Sequence, residues 1–249
     1  MEIQQLLQLT IDKKASDLHL VVGSPATIRV DGDLVKIPNE QILTPADTER
    51  LIKPVLTAEQ LERFTVNKEI DLSISFSKDA RFRVNAYYQK GSMAAAFRRI
   101  SMTIPTVEDL KLPPICHDFT KLRQGLVLVT GPTGHGKSST LAAILDEINR
   151  TRPVHILTIE DPIEFVFTPQ MANISQREMR EDTHSWDVAL RSALREDPDV
   201  VLVGEMRDFE TIASALTVAE TGHLVFAPLP TNSAAQSIDR IVDVFPEEQ

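Results

Sequence analysis

Apolar residues change their period several times over the first hundred positions. Leu6, Leu7, Leu9 and Ile11 suit one face of an opening helix, and Leu18, Leu20 and Val22 alternate as a strand. Ile28 to Ile37 predicts a hairpin that turns at Asp31-Gly32, a pair that accepts the left-handed backbone such turns need. Thr44-Pro45-Ala46-Asp47 starts a helix, with proline suited to its first turn. Thr57-Ala58-Glu59-Gln60 is a capping box that opens another. Three alternating segments follow: Leu72, Ile74 and Phe76; then Phe82, Val84, Ala86 and Tyr88; then Ser92 to Ile100. Residues 1–100 thus read as a small α+β domain on an antiparallel sheet.

Residues 101–124 hold Pro105, Pro113 and Pro114 and no sustained period, so they read as a linker. From 125 to 249 strands and helices alternate: Leu126–Val129, Ser138–Asn149, His155–Ile159, Ser185–Arg195, Val200–Val203, Phe209–Glu220, Leu224–Ala227 and Ala234–Val244. Val200-Val201-Leu202-Val203 is apolar throughout, as a strand covered on both faces must be. The expectation is a parallel α/β sheet that binds ligands at the carboxyl ends of its strands. Internal repeats and low-complexity tracts are absent from the sequence.

The link between the first of these strands and its helix carries chemistry. Gly131, Gly134, Gly136, Lys137 and Ser138 fill the pattern G-x-x-x-x-G-K-[ST], with Pro132, Thr133, His135 and Ser139 between and after them. The strand before and the helix after make the match specific. Glycines let backbone N–H groups turn toward phosphate oxygens, and the helix N-terminus adds partial positive charge. Lys137 would reach the β- and γ-phosphates and Ser138 would hold Mg²⁺.

Two acidic segments sit where chemistry on a bound nucleotide needs them. Glu160, Asp161 and Glu164 follow the strand His155–Ile159, and Glu205 and Asp208 follow Val200–Val203. Carboxylates at strand ends can hold Mg²⁺, a role assigned to Asp161, or position an attacking water. The competing reading is a helix cap, which weighs evenly with function for Asp208 but not for Glu205, aimed by its apolar strand at the phosphate edge.

Charge and cysteine content narrow the class. With 249 residues, 42% hydrophobic and 25% charged, the composition is that of an ordinary globular chain. A formal charge of −10 argues against a nucleic-acid partner. No apolar run approaches a membrane span and no signal-peptide core opens the chain, so the cytoplasm is the default compartment. The single Cys116 excludes an internal disulfide and reads as a stray linker thiol.

Taken together, GPTGHGKSST, ILTIEDPIEF, REDPDVVLVGEMRD and AETGHLVFA resemble the secretion-superfamily ATPases, and among them most the type IV pilus retraction ATPases of the PilT-like kind. ASDLHL and RFRVNAYYQKG extend the resemblance over nearly the whole chain. It implies a PAS-like N-terminal domain joined to a RecA-like P-loop NTPase core, ATP and Mg²⁺ as cofactors, and a homo-hexameric ring. It also implies a motor for pilus retraction and twitching motility that works at the inner membrane through a pilus platform protein. By the same resemblance Gly131 to Ser138 match the Walker A loop, and Glu160, Asp161 and Glu164 lie in the acidic box. Glu205 matches the Walker B glutamate, the catalytic base, and His223 the first histidine of the His box. Arg81, Arg83 and Arg98 fall in the segment whose arginines reach nucleotide phosphates in that family. Alternation alone reads Arg81 and Arg83 as a solvated basic face.

Two features depart from the family pattern. Where its members continue Thr-Leu-His-Thr, this chain reads Pro228-Leu229-Pro230-Thr231, so the second histidine is replaced. Proline inside a central strand removes a ladder donor, so the strand is expected either to suffer or to end before Pro228. The sequence ends at Gln249, where members of the family continue into further helices. Two alternatives therefore stand beside a retraction motor: a hydrolysis-impaired accessory subunit, and a pilus-assembly or type II secretion ATPase, whose four-cysteine motif is missing.

Overall fold

The computed structural model describes residues 1–77, 80–100 and 103–245, and the chain divides into two compact units, Met1–Met102 and Thr103–Gln249. The start of the expected linker at 101–102 and the chain end at 246–249 lie outside the described residues.

The first unit runs α1 (Ile3–Asp12), β1 (Asp17–Leu20), β2 (Thr27–Val30), β3 (Asp33–Lys36), α2 (Pro45–Ile52), α3 (Ala58–Asn67), β4 (Glu69–Ser77), β5 (Ala80–Gln89) and β6 (Ser92–Ile100). The strands form one antiparallel sheet in the order β3-β2-β1-β6-β5-β4. Asp31 (φ 49°) and Gly32 (φ 93°) are both left-handed, which matches the twist of the β2–β3 hairpin. Thr44 and Thr57 cap α2 and α3 through the N–H groups of Asp47 and Gln60. Leu18, Leu20, Phe82, Val84 and Phe97 bury one sheet face against Leu6, Ile52 and Phe64 from the three helices.

The second unit contains α4 (Ile115–Phe119), β7 (Gly125–Thr130), α5 (Lys137–Thr151), β8 (His155–Glu160), β9 (Asn173–Glu178), α6 (Trp186–Ala193), β10 (Val200–Val203), α7 (Phe209–Glu220), β11 (Leu224–Leu229) and α8 (Ala234–Val242). Its sheet is wholly parallel, in the order β7-β11-β10-β8-β9. Alternation in β10 shows why the strands are apolar throughout. Val200 and Leu202 pack with Leu141, Ile144 and Ile148 of α5, while Val201 and Val203 pack with Leu190 of α6 and Ile212 of α7. The sheet is the middle of three layers, and its carboxyl edge is where its side chains can meet solvent.

The expected linker is corrected here. Residues 103–124 belong to the second unit, with Val107 and Cys116 buried beside α5 in its core. The segment is held by single anchors rather than a periodic face, which is why no period marks it. Cys116 is accordingly a core thiol. His117 ties the segment down through Nδ1, 2.8 Å from the Glu147 carboxylate on α5, and that partner raises its pKa above 6.5.

β9 is not announced by the hydrophobic pattern. Asn-Ile-Ser-Gln-Arg-Glu has one apolar residue, and the strand is an edge paired only with β8. The chain reaches it through a loop held on α5 by Asn149, which is fully buried. Asn149 Nδ2 donates to the Thr168 carbonyl (2.9 Å) and its Oδ1 accepts from the Gln170 N–H (2.9 Å), while its own carbonyl accepts from the N–H groups of Met171 and Ala172. Asn149→Ala leaves two loop groups without their partners and should cost about 2–4 kcal/mol. Chemical denaturation of the two proteins checks this; a loss below 1 kcal/mol would mean that the loop is held elsewhere.

Candidate nucleotide-binding and catalytic site

Three chain segments converge at the carboxyl ends of the parallel strands. The first is the loop from β7 to α5. Gly131, Gly134 and Gly136 all have positive φ (151°, 82° and 80°), so the loop curls with its backbone inward. Gly136 is the N-cap of α5 and has no side chain to cap it, which leaves the N–H groups of the first turn, at Lys137, Ser138 and Ser139, open to an anion. Lys137 lies back across the loop, with Nζ donating to the carbonyls of Gly131 (2.9 Å) and Pro132 (3.0 Å). Pro132, Thr133 and His135 form its exposed rim, and His135 Nδ1 sits 3.2 Å from the Thr133 carbonyl.

The second segment leaves β8. Glu160 is buried, and burial pushes its pKa from 4.5 up to about 7 against three hydrogen bonds that favour the charged form. Its Oε1 accepts from Thr158 Oγ1 (2.7 Å) and Gln176 Nε2 (3.3 Å), and its Oε2 from the Glu164 N–H (3.3 Å). Asp161 pairs with Arg180 at 3.2 Å. Ser138, Glu160, Asp161, Glu164, Gly204 and Pro228 line one cleft, which Phe165 and Phe167 wall on its apolar side.

The third segment leaves β10. Gly204 donates its N–H to the Ile159 carbonyl (2.7 Å), and a Cβ on it would lie 2.9 Å from that same oxygen and 3.0 Å from Glu160 Cα. Glycine is therefore required for the two acidic segments to lie side by side. Glu205 follows, its Oε1 in ionic contact with the Arg207 guanidinium. Asp208 caps α7 by accepting the Thr211 N–H at 2.8 Å, which decides that residue for the cap.

β11 runs unbroken through Pro228 to Leu229, paired with β7 as Pro228 opposite Val129. The expectation of a damaged or shortened strand is corrected by ladder geometry. His223 accepts from the Gly125 N–H and Leu229 from the Gly131 N–H, so the odd residues of β11 face β7, while Leu224 donates toward β10. Pro228 shares the orientation of Leu224, and the β10 ladder ends earlier, at Leu202 opposite Phe226. The missing N–H is the one that this register would aim at the Val203 carbonyl at the end of β10, so the proline costs one terminal bond on that side and leaves the β7 ladder whole.

Other predicted residues are not brought to this cleft within the second unit. His223 precedes β11, at the amino edge of the sheet, about 20 Å of extended strand from the loop. There its Nδ1 lies 3.0 Å from the Val218 carbonyl at the end of α7. Arg81, Arg83 and Arg98 belong to the first unit, opposite its apolar sheet face. Arg98 Nε donates to Asp17 (3.0 Å), and Arg83 Nε lies 3.9 Å from Asp71. Gln176, which holds Glu160 and the loop behind it, and Asn149, which holds residues 168–172, carry no motif signal and become visible only through contacts.

A family model described as "Type II/IV secretion system protein" matches residues 1–248. The chain belongs to that family. It is 51% identical over 249 residues to the type IV pilus retraction ATPase PilT of Pseudomonas aeruginosa, covering all of this chain and 72% of that one. It is 52% identical over 219 residues to a twitching motility protein of Neisseria gonorrhoeae, covering 88% of this chain and 58% of that one. The crystal structure of the pilus retraction motor PilT with bound ADP superimposes with a TM-score of 0.96 at 45% identity, over all of this chain and 73% of that one. The fold is thus that of the P-loop secretion ATPases.

Two outcomes follow from the geometry. Gly204→Ala forces backbone apart and should destabilise by about 1–3 kcal/mol, read as a lower Tm. An unchanged Tm would mean that the strands separate freely. For Glu160 the folded-state pKa lies above the 4.5 of the unfolded chain, so its contribution is most favourable below pH 4.5 and is lost as pH rises through about 7. Glu160→Gln should therefore raise Tm at pH 8 and leave it nearly unchanged at pH 4; equal shifts at both would remove the buried charge as the cause.

Proposed function

We propose that this chain is an ATP-hydrolysing motor of type IV pilus retraction and twitching motility. The observation that carries the reading is the convergence of the glycine loop, the Glu160–Glu164 segment and the Gly204–Glu205 segment at one edge of a parallel sheet. Whole-chain likeness to a retraction motor with bound ADP supports it.

The loop residues Gly131 to Ser139 take the phosphates. Backbone N–H groups at the start of α5 and the Lys137 ammonium neutralise them, with Nζ exchanging its two carbonyl acceptors for phosphate oxygens. Ser138 and the acidic residues beside it suit Mg²⁺. Mg²⁺ would supply charge neutralisation at the β- and γ-phosphates. Ser138 would hold it, and Asp161, now paired with Arg180, would assist. Glu205, released from Arg207, takes the proton from the attacking water. Glu160 and Glu164 orient that water from the neighbouring strand.

The motor works as a ring of six copies, in the cytoplasm, docked on a platform protein of the inner membrane. No helix among the described residues is long and apolar enough to cross a membrane. In the ring, arginines of the first unit, Arg81, Arg83 or Arg98, bring further charge to the phosphates, with Arg83 and Arg98 exchanging Asp71 and Asp17 for them. His223 serves at a boundary between copies. The accessory, hydrolysis-impaired reading rests on Pro228 and Pro230, of which Pro228 leaves the β7 ladder of β11 whole.

Lys137→Ala should weaken Mg-ATP binding by at least tenfold in calorimetry, and unchanged affinity would take the loop out of the mechanism. Glu205→Gln should keep affinity and lower turnover by about 10²–10⁴-fold. A parallel loss of binding would make Glu205 a metal ligand or a structural residue.

A further inference from the structure

We propose that Gln176 on β9 is a positioning residue for hydrolysis, acting through the Glu160 carboxylate and the loop that follows it. The inference rests on the reading of Glu160 as part of the hydrolytic site.

Register places Gln176 beside Thr158 and Glu178 beside Glu160, so these four side chains leave one face of the sheet together. All four take part in holding the carboxyl end of β8. Gln176 Nε2 donates to Glu160 Oε1 (3.3 Å) and to the Phe165 carbonyl (2.8 Å), while its Oε1 accepts from the Phe167 N–H (2.9 Å). Glu178 Oε2 accepts from the Ile163 N–H (3.2 Å), and Thr158 Oγ1 completes the set on Glu160. Gln176 is the one member that grips both the carboxylate and the backbone of its loop. Only a primary amide of this length offers two donors and an acceptor at once. Glu160 thereby has both oxygens assigned, and its rotamer is set before any nucleotide arrives. Phe165 and Phe167, whose backbone Gln176 holds, wall the same cleft as Ser138.

Two variants separate this role from simple support of the fold. Gln176→Glu keeps the shape and the acceptor for Phe167 but loses both donors. Gln176→Met keeps the length and loses all three partners. In the full chain each should lower kcat by about 10–100-fold, the usual worth of a residue that orients a site ligand from behind, with Mg-ATP affinity held within about threefold. Amide exchange at Phe167 should speed up in Gln176→Met and stay near wild type in Gln176→Glu. In a Glu160→Gln background either change should lower kcat by less than about twofold more, because the carboxylate it acts on is gone.

Several results would overturn the proposal: unchanged kcat in both variants, multiplicative losses in the double variants, affinity lost together with kcat, or unchanged exchange at Phe167 in Gln176→Met. If Glu160→Gln alone leaves kcat intact, the role given to Glu160 falls and this one with it. If Glu160→Gln lowers kcat and the Gln176 variants do not, only the role of Gln176 falls.

Discussion

Burial on both faces of the parallel sheet is the constraint from which the second unit follows. Val200 to Val203 and the inner part of β11 touch helices on either side, so no polar side chain can stand in the middle of these strands without losing water on both faces. Chemistry is pushed to the strand ends, and parallel pairing sends those ends to one edge. Gly131, Glu160 and Gly204 each stand at or just beyond the end of a different strand, and each begins a functional segment. Gly204 is the closest point of this arrangement, since the β10 backbone there leaves no room for a methyl group beside Glu160.

That edge holds charge in a setting that resists it. Glu160 is buried beside apolar layers and still carries three hydrogen bonds, so desolvation and donors oppose each other on one carboxyl group. The result is an acid poised near neutrality and fixed in orientation. Asp161 next to it is half-buried and paired with Arg180, and Glu205 meets Arg207. The three carboxylates therefore sit in three different environments, which is what separate roles in positioning, metal holding and proton transfer require.

Pro228 shows how a local rule can be broken at small cost. A proline in a central strand usually interrupts pairing; here its nitrogen faces only the last residue of β10, so the loss is confined to the end of that ladder. The strand keeps its β7 ladder and delivers Pro228 to the wall of the cleft. Pro230 follows the end of the strand, and there the chain is fixed by Thr231, whose buried hydroxyl meets that of Ser237 at the start of α8.

Much of this was legible in the chain. The hairpin at Asp31-Gly32, the capping boxes at Thr44 and Thr57, the glycine loop and the apolar strands are local signals, because each depends on the backbone or burial of a few consecutive residues. The resemblance carried over from these motifs named the right family, which whole-chain matches bear out. Residues 103–124 and β9 were not legible, since neither has a period. The first is fixed by scattered anchors such as Val107 and Cys116, and the second by an edge ladder and by side chains that bond to a distant loop. By itself the sequence determined which residues could bind phosphate and which strands had to be buried. Only the tertiary structure decided that Gln176 holds the acidic segment and Asn149 the loop after it, that His223 stands at the far edge of the sheet, and that Pro228 leaves the β7 ladder of β11 whole. Those outcomes depend on which groups the fold brings within hydrogen-bond reach, a property of register and packing that no short stretch of sequence encodes.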